Sequence, residues 1–303
     1  MSYVTREFVR AGVVLSLRDW GGGRGGGGGG GGGGDGWGFG VLLLHGLAGH
    51  CGEWDGLARA LRGDGYRVLA LDQRGHGGSE RVPGDVSRAA YVDDVLGVVE
   101  EFGSSGRRPF VLVGQSYGGH AALLAAARRD PRVAGAVLVE AGPAGSTPED
   151  VAGVAGWLRG WPVPFASREA AVSYFGGGGV GEGWADGLDE RDGGWWPRFD
   201  AEVLAASLAE NAVRSWWEEW DAVDVPLLAV LGQHGIIDAE QWDGMARRQP
   251  GLRGVCLPGA GHDVHLERPA EVYGAVAAFL REVGGGLPDP AGAGACLGVR
   301  SRP

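Results

Sequence analysis

The stretch VLVGQSYGGHAALLAAARR, residues 111–129, places a Gly-x-Ser-x-Gly motif between a short apolar run and a helical pattern. Ser116 has Gly114 and Gly118 two positions away on either side. In a sharp turn from a strand to a helix the residues at these two positions approach each other, so both must be glycine. The turn lifts the hydroxyl above the sheet edge, where N–H groups at the start of the helix stabilise an oxyanion. The sequence therefore predicts that Ser116 is a nucleophile; an ordinary Gly-Ser turn is the alternative interpretation.

Apolar runs alternate with helical patterns over most of the chain. Strands are expected at residues 13–20, 40–44, 66–72, 110–113, 133–139, 226–232 and 254–257, and helices at residues 53–62, 91–102, 120–129, 240–248 and 270–283. Strands that alternate with helices predict a parallel sheet covered on both faces, where strands read as short apolar runs. The predicted fold class is therefore α/β, with a mostly parallel, doubly wound sheet.

Three segments depart from this alternation. Residues 144–222 show no clear strand and hold eight of the twelve tryptophans, so we predict an α-helical cap inserted between two core segments, residues 1–143 and 223–283. The glycine-rich tract at residues 21–36 has no packing capacity and is predicted to be a flexible loop. Residues 284–303 are rich in Gly, Pro and Ala and are predicted to be a flexible tail.

The composition argues against several classes of partner. The 303 residues carry a net charge of −11, and all 27 basic residues are arginine. An acidic chain without a basic tract argues against nucleic acid and against an anionic membrane surface. The N-terminus lacks the features of a signal peptide, and no apolar run reaches the roughly 20 residues that span a bilayer. Three separated cysteines provide neither a disulfide framework nor a zinc spacing, so we expect a cytoplasmic protein without a metal.

Three further motifs, together with the Ser116 motif, resemble the α/β-hydrolase superfamily in sequence and in order. LLLHGLAGH (residues 42–50) resembles the oxyanion loop of the family. LDQRGHGGSE (residues 71–80) resembles its D-x-R-G-x-G-x-S motif, which has a structural role. GAGHDVHLERP (residues 259–269) resembles the loop that holds the catalytic base. The resemblance implies that the N–H groups of Leu47 and Tyr117 form an oxyanion hole. It also implies that His262 is the base. The chemistry requires a histidine because a serine hydroxyl is a weak nucleophile until an imidazole takes its proton.

The acid that orients the imidazole has two candidates. The superfamily usually supplies an aspartate in the loop after the strand that matches LLAVLG, but Gly235 stands at that position here. Asp238 follows in the same loop, where it also fits a helix N-cap. Glu140 ends the preceding strand, where certain haloalkane dehalogenases carry their acid, and a strand-end carboxylate in a hydrogen-bond network is its alternative role. A charged residue at a buried strand end is rarely without a partner, which suits either role of Glu140. The geometry of the motifs favours Glu140 over Asp238 as the acid.

A serine nucleophile indicates acyl transfer. We expect a serine hydrolase that acts, without a cofactor, on an ester, thioester or lactone of a small hydrophobic substrate through an acyl-enzyme, as a monomer or homodimer. Two alternatives are a carbon–carbon bond hydrolase or cofactor-free lyase or cyclase on the same site, and a non-catalytic ligand-binding member. The cap tryptophans are predicted to line the substrate pocket, although they also suit packing of the cap onto the sheet. The four singled out are Trp195, Trp196, Trp216 and Trp220.

Overall fold

An eight-stranded sheet forms the centre of the protein. The computed structural model describes residues 2–22, 38–103 and 108–285. The strands are β1 (Val4–Arg10), β2 (Val13–Gly22), β3 (Gly40–Leu44), β4 (Arg67–Asp72), β5 (Phe110–Gln115), β6 (Val133–Val139), β7 (Leu188–Arg191), β8 (Gly194–Pro197), β9 (Leu227–Gly232) and β10 (Arg253–Leu257). The sheet order is β1-β2-β4-β3-β5-β6-β9-β10, and β7 pairs with β8 in a separate ribbon. From β4 through β10 the sheet neighbours are parallel, so the predicted fold class is confirmed.

Helices cover both faces of this sheet. They are α1 (Asp55–Gly63), α2 (Arg88–Gly103), α3 (Ser116–Ala127), α4 (Pro148–Arg159), α5 (Arg168–Tyr174), α6 (Gly178–Ala185), α7 (Ala201–Ser207), α8 (Trp217–Ala222), α9 (Ala239–Arg248), α10 (Val264–Glu267) and α11 (Pro269–Val283). Short 3-10 helices span Cys51–Trp54 and Ala209–Ala212. None of the helices within the described ranges has both the length and the apolarity needed to cross a membrane.

The two faces of the sheet bury two separate clusters of apolar side chains. In β3, Leu42 and Leu44 pack in one cluster with residues of α2, α3, α8 and α9. Val41 and Leu43, which alternate with them, pack in the other with residues of α1, α10 and α11. Because successive side chains of a strand point to opposite faces, a strand covered on both sides is apolar throughout. This explains why β3 to β6 and β9 read as short apolar runs.

The N-terminal hairpin adds a strand that the sequence analysis does not predict. β1 pairs antiparallel with β2 in register from Val4 opposite Asp19 to Arg10 opposite Val13. The turn between them uses positive φ angles at Ala11 and Gly12. Most of β1 is exposed, since it lies at the sheet edge, and its charged residues hide the alternation expected of a half-buried strand.

Residues 144–222, here called the cap segment, contain five α-helices, the 3-10 helix Ala209–Ala212 and the β7–β8 ribbon. The prediction that this segment has no strand is therefore wrong. The ribbon turns at Asp192 and Gly193, both at positive φ, which is the two-residue Asp-Gly hairpin signal. A third apolar cluster, here called the cap cluster, joins Leu158, Trp161 and Phe165 of this segment to Ala48 of the loop after β3. Most of the glycine-rich tract and most of the predicted tail, residues 23–37 and 286–303, lie outside the described residues.

Candidate active site

Ser116 occupies the turn between β5 and α3 with a positive φ of 48°. The chain is tightly packed on both sides of it. A Cβ on Gly114 would lie 2.3 Å from the carbonyl oxygen of Gly118, and a Cβ on Gly118 would lie 2.4 Å from that of His45. Since real Cβ atoms do not approach backbone this closely, glycine is required at both positions. The strained backbone presents the Ser116 side chain at the end of the parallel strands.

His262 lies beside this serine, in the loop after β10. Its Nε2 is 3.0 Å from Ser116 Oγ, within hydrogen-bond distance. The Nε2 amide of Gln115 donates to the backbone oxygen of His262 at 3.1 Å, and this amide orientation is required because a carbonyl oxygen only accepts. Gln115, the residue before the nucleophile, therefore holds the loop that carries His262. The sequence does not predict this contact.

Glu140 lies behind His262 at the end of β6, and its side chain is fully buried. Its Oε2 is 3.5 Å from His262 Nδ1. Two backbone N–H groups also bind the carboxylate: that of Gly232 donates to Oε1 at 2.7 Å, and that of Ile236 donates to Oε2 at 2.6 Å. Because both donors belong to β9 and the loop after it, Glu140 is anchored to the segment where the superfamily usually carries its aspartate.

Gly235 explains how this arrangement fits. A Cβ at this position would lie 2.0 Å from Glu140 Oε2 and 2.2 Å from its carboxyl carbon. A side chain at position 235 and a carboxylate from position 140 therefore compete for the same space. The absence of the usual aspartate is thus the condition that allows Glu140 to reach the histidine.

Asp238 serves a different purpose. It is the N-cap of α9, and its Oδ1 accepts from the backbone N–H of Gln241 at 2.8 Å. No hydrogen bond or ion pair joins Asp238 to His262 in the part of the chain that the structure describes. Of the two candidate acids, only Glu140 lies next to the imidazole.

The predicted oxyanion donors come from two elements: Leu47 lies in the loop after β3, and Tyr117 lies in the first turn of α3. Leu47 and Tyr117 line the same cavity as Ser116. His45 supports this loop: its Nδ1 lies 2.7 Å from Gly46 O, and its Nε2 accepts from the backbone N–H of Gln73 at 3.0 Å. Burial, with a smaller effect of the neighbouring His76, lowers the pKa of His45 to about 3. His45 is therefore a neutral imidazole that bridges two loops.

The cavity above Ser116 has a volume of about 1050 Å³. The tryptophans that line it are Trp157, Trp184 and Trp217, which come from α4, α6 and α8. Trp157 and Trp184 contact each other edge to face, with ring centroids 5.6 Å apart. The indole N–H of Trp184 donates to Asp263 Oδ2 at 3.2 Å, which ties the cap segment to the residue next to His262.

The four tryptophans predicted to line the pocket do not line this cavity. Trp216 and Trp220 are buried in the core cluster on the α3 side of the sheet. Trp195 packs against the cap cluster, and the Trp196 indole N–H donates to the backbone oxygen of Arg191 within the ribbon. Trp216 and Trp220 are four residues apart and share a face that packs on the core. The adjacent Trp217 lines the cavity.

A buried acid–imidazole pair lies beneath the oxyanion loop. Glu53 Oε2 is 3.2 Å from His265 Nε2, and both side chains are almost inaccessible. Burial raises the pKa of Glu53 to about 8, and burial lowers the pKa of His265 to about 4. Near neutral pH the pair is therefore an uncharged carboxylic acid that donates to an uncharged imidazole.

This pair predicts a pH dependence of stability. At Glu53 the folded state holds a proton that the unfolded state lacks between about pH 4.3 and 8, and at His265 the folded state lacks a proton that the unfolded state holds between about pH 4 and 6.5. The two differences cancel up to about pH 6.5, so the stability of the uncharged pair is lost as the pH rises from about 6.5 towards 8. We expect Glu53→Gln to remove the decline of Tm between about pH 6.5 and 9 and to raise Tm by several degrees at pH 9.

Calorimetry of wild type and of Glu53→Gln across this pH range checks the prediction. Glu7→Gln, at an exposed position of β1, is the control and is expected to follow the wild-type curve. Parallel curves for wild type and Glu53→Gln would contradict a protonated Glu53.

The sequence matches a known family over most of its length. A model described as the alpha/beta hydrolase family matches residues 41–275. The chain is similar to the sn-1-specific diacylglycerol lipase ABHD11 of Mus musculus, with 28% identity over 252 residues that cover 79% of this chain and 80% of the relative. It is also similar to esterase YbfF of Escherichia coli (strain K12), with 27% identity over 256 residues that cover 80% of this chain and 93% of the relative.

Solved structures share the fold. The crystal structure of E-2-(acetamidomethylene)succinate hydrolase superposes with a TM-score of 0.78, covering 92% of this chain and 99% of that chain at 22% identity. This likeness concerns the fold. Since the family match runs from β3 into α11 and the relatives are lipases and esterases, the chain is a hydrolase and belongs to the alpha/beta hydrolase family.

Proposed function

We propose that the protein is a serine hydrolase that cleaves an ester, thioester or lactone of a small hydrophobic substrate through an acyl-enzyme. The observation that carries the proposal is the 3.0 Å approach of His262 Nε2 to Ser116 Oγ. Glu140, held by two backbone N–H groups, stands on the other side of the same ring. A nucleophile, a base and an orienting acid in line are the arrangement that acyl transfer requires.

In the first half-reaction the Ser116 oxygen attacks the carbonyl carbon while His262 Nε2 takes the hydroxyl proton. The Glu140 carboxylate stabilises the imidazolium that forms, and this attraction increases when the ring becomes charged. The tetrahedral intermediate then collapses. The bond from carbon to the alcohol oxygen, or to the thiol sulfur, breaks, and His262 returns its proton to the leaving group.

In the second half-reaction a water molecule takes the place of the leaving group. His262 accepts one of its protons, the resulting hydroxide adds to the acyl carbon, and a second tetrahedral intermediate forms. Its collapse breaks the bond to Ser116, and the proton on His262 returns to the serine oxygen. The products are a carboxylic acid and the free enzyme.

The N–H groups of Leu47 and Tyr117 hold the oxyanion in both intermediates. Tyr117 N lies at the start of α3, where the helix end carries a partial positive charge. The loss of one such donor typically lowers kcat by about 10²–10³-fold. Both residues line the cavity with Ser116, which supports this assignment.

The cavity supports a hydrophobic substrate. Leu47, Val154, Trp157 and Leu208 contribute apolar surface to its wall. The two relatives are an esterase and a diacylglycerol lipase by name, which supports cleavage of a carboxylic ester. No contact of the described residues favours carbon–carbon bond cleavage over ester cleavage.

The test is covalent labelling combined with turnover. A fluorophosphonate should add one phosphonyl group to wild type, seen as an intact-mass increase, and the labelled protein should lose activity towards 4-nitrophenyl butyrate. Ser116→Ala should show neither adduct nor turnover. Ser146→Ala is the matched control because Ser146 lines the same cavity, and it should still take the label. A folded wild type with no adduct and no turnover of any ester in a short-chain panel would refute the proposal.

A further inference from the structure

His120 is a polar residue in the wall of the cavity that the mechanism does not use. It lies on α3 one helical turn after Ser116, and only 6% of it is exposed. Neither ring nitrogen has a hydrogen-bond partner among the residues that the structure describes. The ring instead contacts Trp216 edge to face, with centroids 5.0 Å apart. Buried polar groups are nearly always hydrogen-bonded, so two unpartnered nitrogens in a cavity wall indicate that a ligand supplies the partner.

The surroundings determine which ligand atoms suit this ring. Burial lowers the pKa of His120 well below its usual value, and the nearby Arg88 and Arg214 guanidiniums act in the same direction. The ring is therefore neutral, with one N–H donor and one acceptor. The N–H of a neutral imidazole binds an oxygen acceptor of a ligand.

A second atom of the same wall is also unpartnered. Asn211 lines the cavity, and its buried side-chain Oδ1 has no hydrogen-bond partner in the described part of the chain. Its backbone oxygen accepts from the N–H of Ser146, so this segment is held in place at the cavity edge. An amide oxygen and an imidazole in the wall of one cavity provide an acceptor and a donor for polar groups of a bound molecule.

The position of His120 sets a distance from the reacting carbon. Side chains four residues apart on a helix face are about 5–6 Å apart at Cβ. With carbon–carbon bonds near 1.5 Å, the oxygen on the fourth carbon of an extended acyl chain lies about that far from its carbonyl carbon. The two lengths are similar. An oxygen on the fourth carbon of an acyl group attached at Ser116 can therefore come within reach of His120.

We propose that His120, together with Asn211 of the same cavity wall, forms a polar subsite that binds an oxygen substituent on the fourth or fifth carbon of the acyl chain. The preferred substrates are then esters of oxygenated acids, such as keto acids or half-esters of dicarboxylic acids. This inference rests on the proposed hydrolase function, since it concerns the acyl group carried by Ser116.

The test compares two esters of the same shape. 4-Nitrophenyl 4-oxopentanoate carries a carbonyl oxygen where 4-nitrophenyl 4-methylpentanoate carries a methyl group. Each kcat/KM is divided by the rate of hydroxide-catalysed hydrolysis of the same ester. In wild type we expect the normalised ratio to favour the oxo ester by about tenfold, the size of one net hydrogen bond. A 4-nitrophenyl glutarate half-ester separates an anionic oxygen from a neutral one.

Substitutions of His120 test whether this residue causes the preference for the oxo ester. We expect His120→Phe, which keeps a ring against Trp216, to reduce the ratio to about one. His120→Gln keeps an N–H donor and should retain a ratio of several-fold. Val213→Thr, at a strongly exposed cap position, is the control and should keep the wild-type ratio.

The outcomes separate this inference from the hydrolase proposal. Equal normalised rates for the two esters in wild type, or an unchanged ratio in His120→Phe, would overturn the subsite. Both results leave ester turnover and labelling of Ser116 intact. If no ester is hydrolysed and Ser116 takes no label, the proposed function itself fails.

Discussion

Replacing His262 by alanine should lower kcat towards 4-nitrophenyl butyrate by about 10⁵–10⁶-fold, because residues of such a triad act as one unit. His262 Nε2 is the group placed 3.0 Å from the hydroxyl that must lose its proton. Without the imidazole, the serine is a weak nucleophile and the leaving alcohol has no acid to protonate it. Steady-state assays with active-site titration measure the loss, and labelling by the fluorophosphonate should slow as well.

A second histidine controls for general effects of the substitution. His234 is exposed in the loop after β9, and its backbone N–H rather than its ring holds the loop, by donating to Ala260 O. His234→Ala should retain kcat within about threefold, as surface substitutions usually change little. If His262→Ala kept more than a hundredth of the wild-type kcat, another group would be the base.

Replacing Glu140 by glutamine is expected to lower kcat by about 10³–10⁴-fold, the effect seen when a triad acid becomes an amide. The amide is nearly the same size, but it has no charge to stabilise the imidazolium. The N–H groups of Gly232 and Ile236 donate to different carboxylate oxygens, so the NH₂ group of the amide would also face one of these two donors. The folded state is therefore also expected to lose stability, so Tm is measured alongside kcat.

Asp238→Asn is the matched comparison for this prediction. Asparagine caps a helix as well as aspartate does, so α9 keeps its N-cap and kcat should change by less than about threefold. A larger loss of kcat in Asp238→Asn than in Glu140→Gln would show that Asp238 acts on His262 and would overturn the assignment of the acid.

The acid can also be moved from the end of β6 to the loop after β9. Gly235→Asp alone should be inactive, because its Cβ would lie 2.0 Å from Glu140 Oε2. Combining it with Glu140→Gly frees this space, and glycine suits the positive φ of 52° at position 140. The double variant should exceed Glu140→Gly alone by about tenfold or more in kcat, since it restores a carboxylate near the ring.

Much of the fold was predictable from the sequence because it depends on short-range pattern. The apolar runs of β3 to β6 and β9 signal strands buried on both faces, and the glycines around Ser116 signal a turn in which their own backbone leaves no room for a side chain. The unpredicted elements are those whose signal is weak. β1 is an exposed, charged edge strand, and the β7–β8 ribbon is short and lies within a segment dominated by helices.

The α/β sheet, the turn at Ser116 and a histidine in the loop after the last strand can all be derived from the local pattern of the amino-acid sequence. The identity of the acid that meets this histidine requires the three-dimensional structure, because it depends on the space that Gly235 leaves for a carboxylate from the neighbouring strand. The same holds for the tryptophans that face the cavity. One helix presents Trp217 to the cavity and Trp220 to the core, and the sequence pattern shows such faces without showing what each face meets.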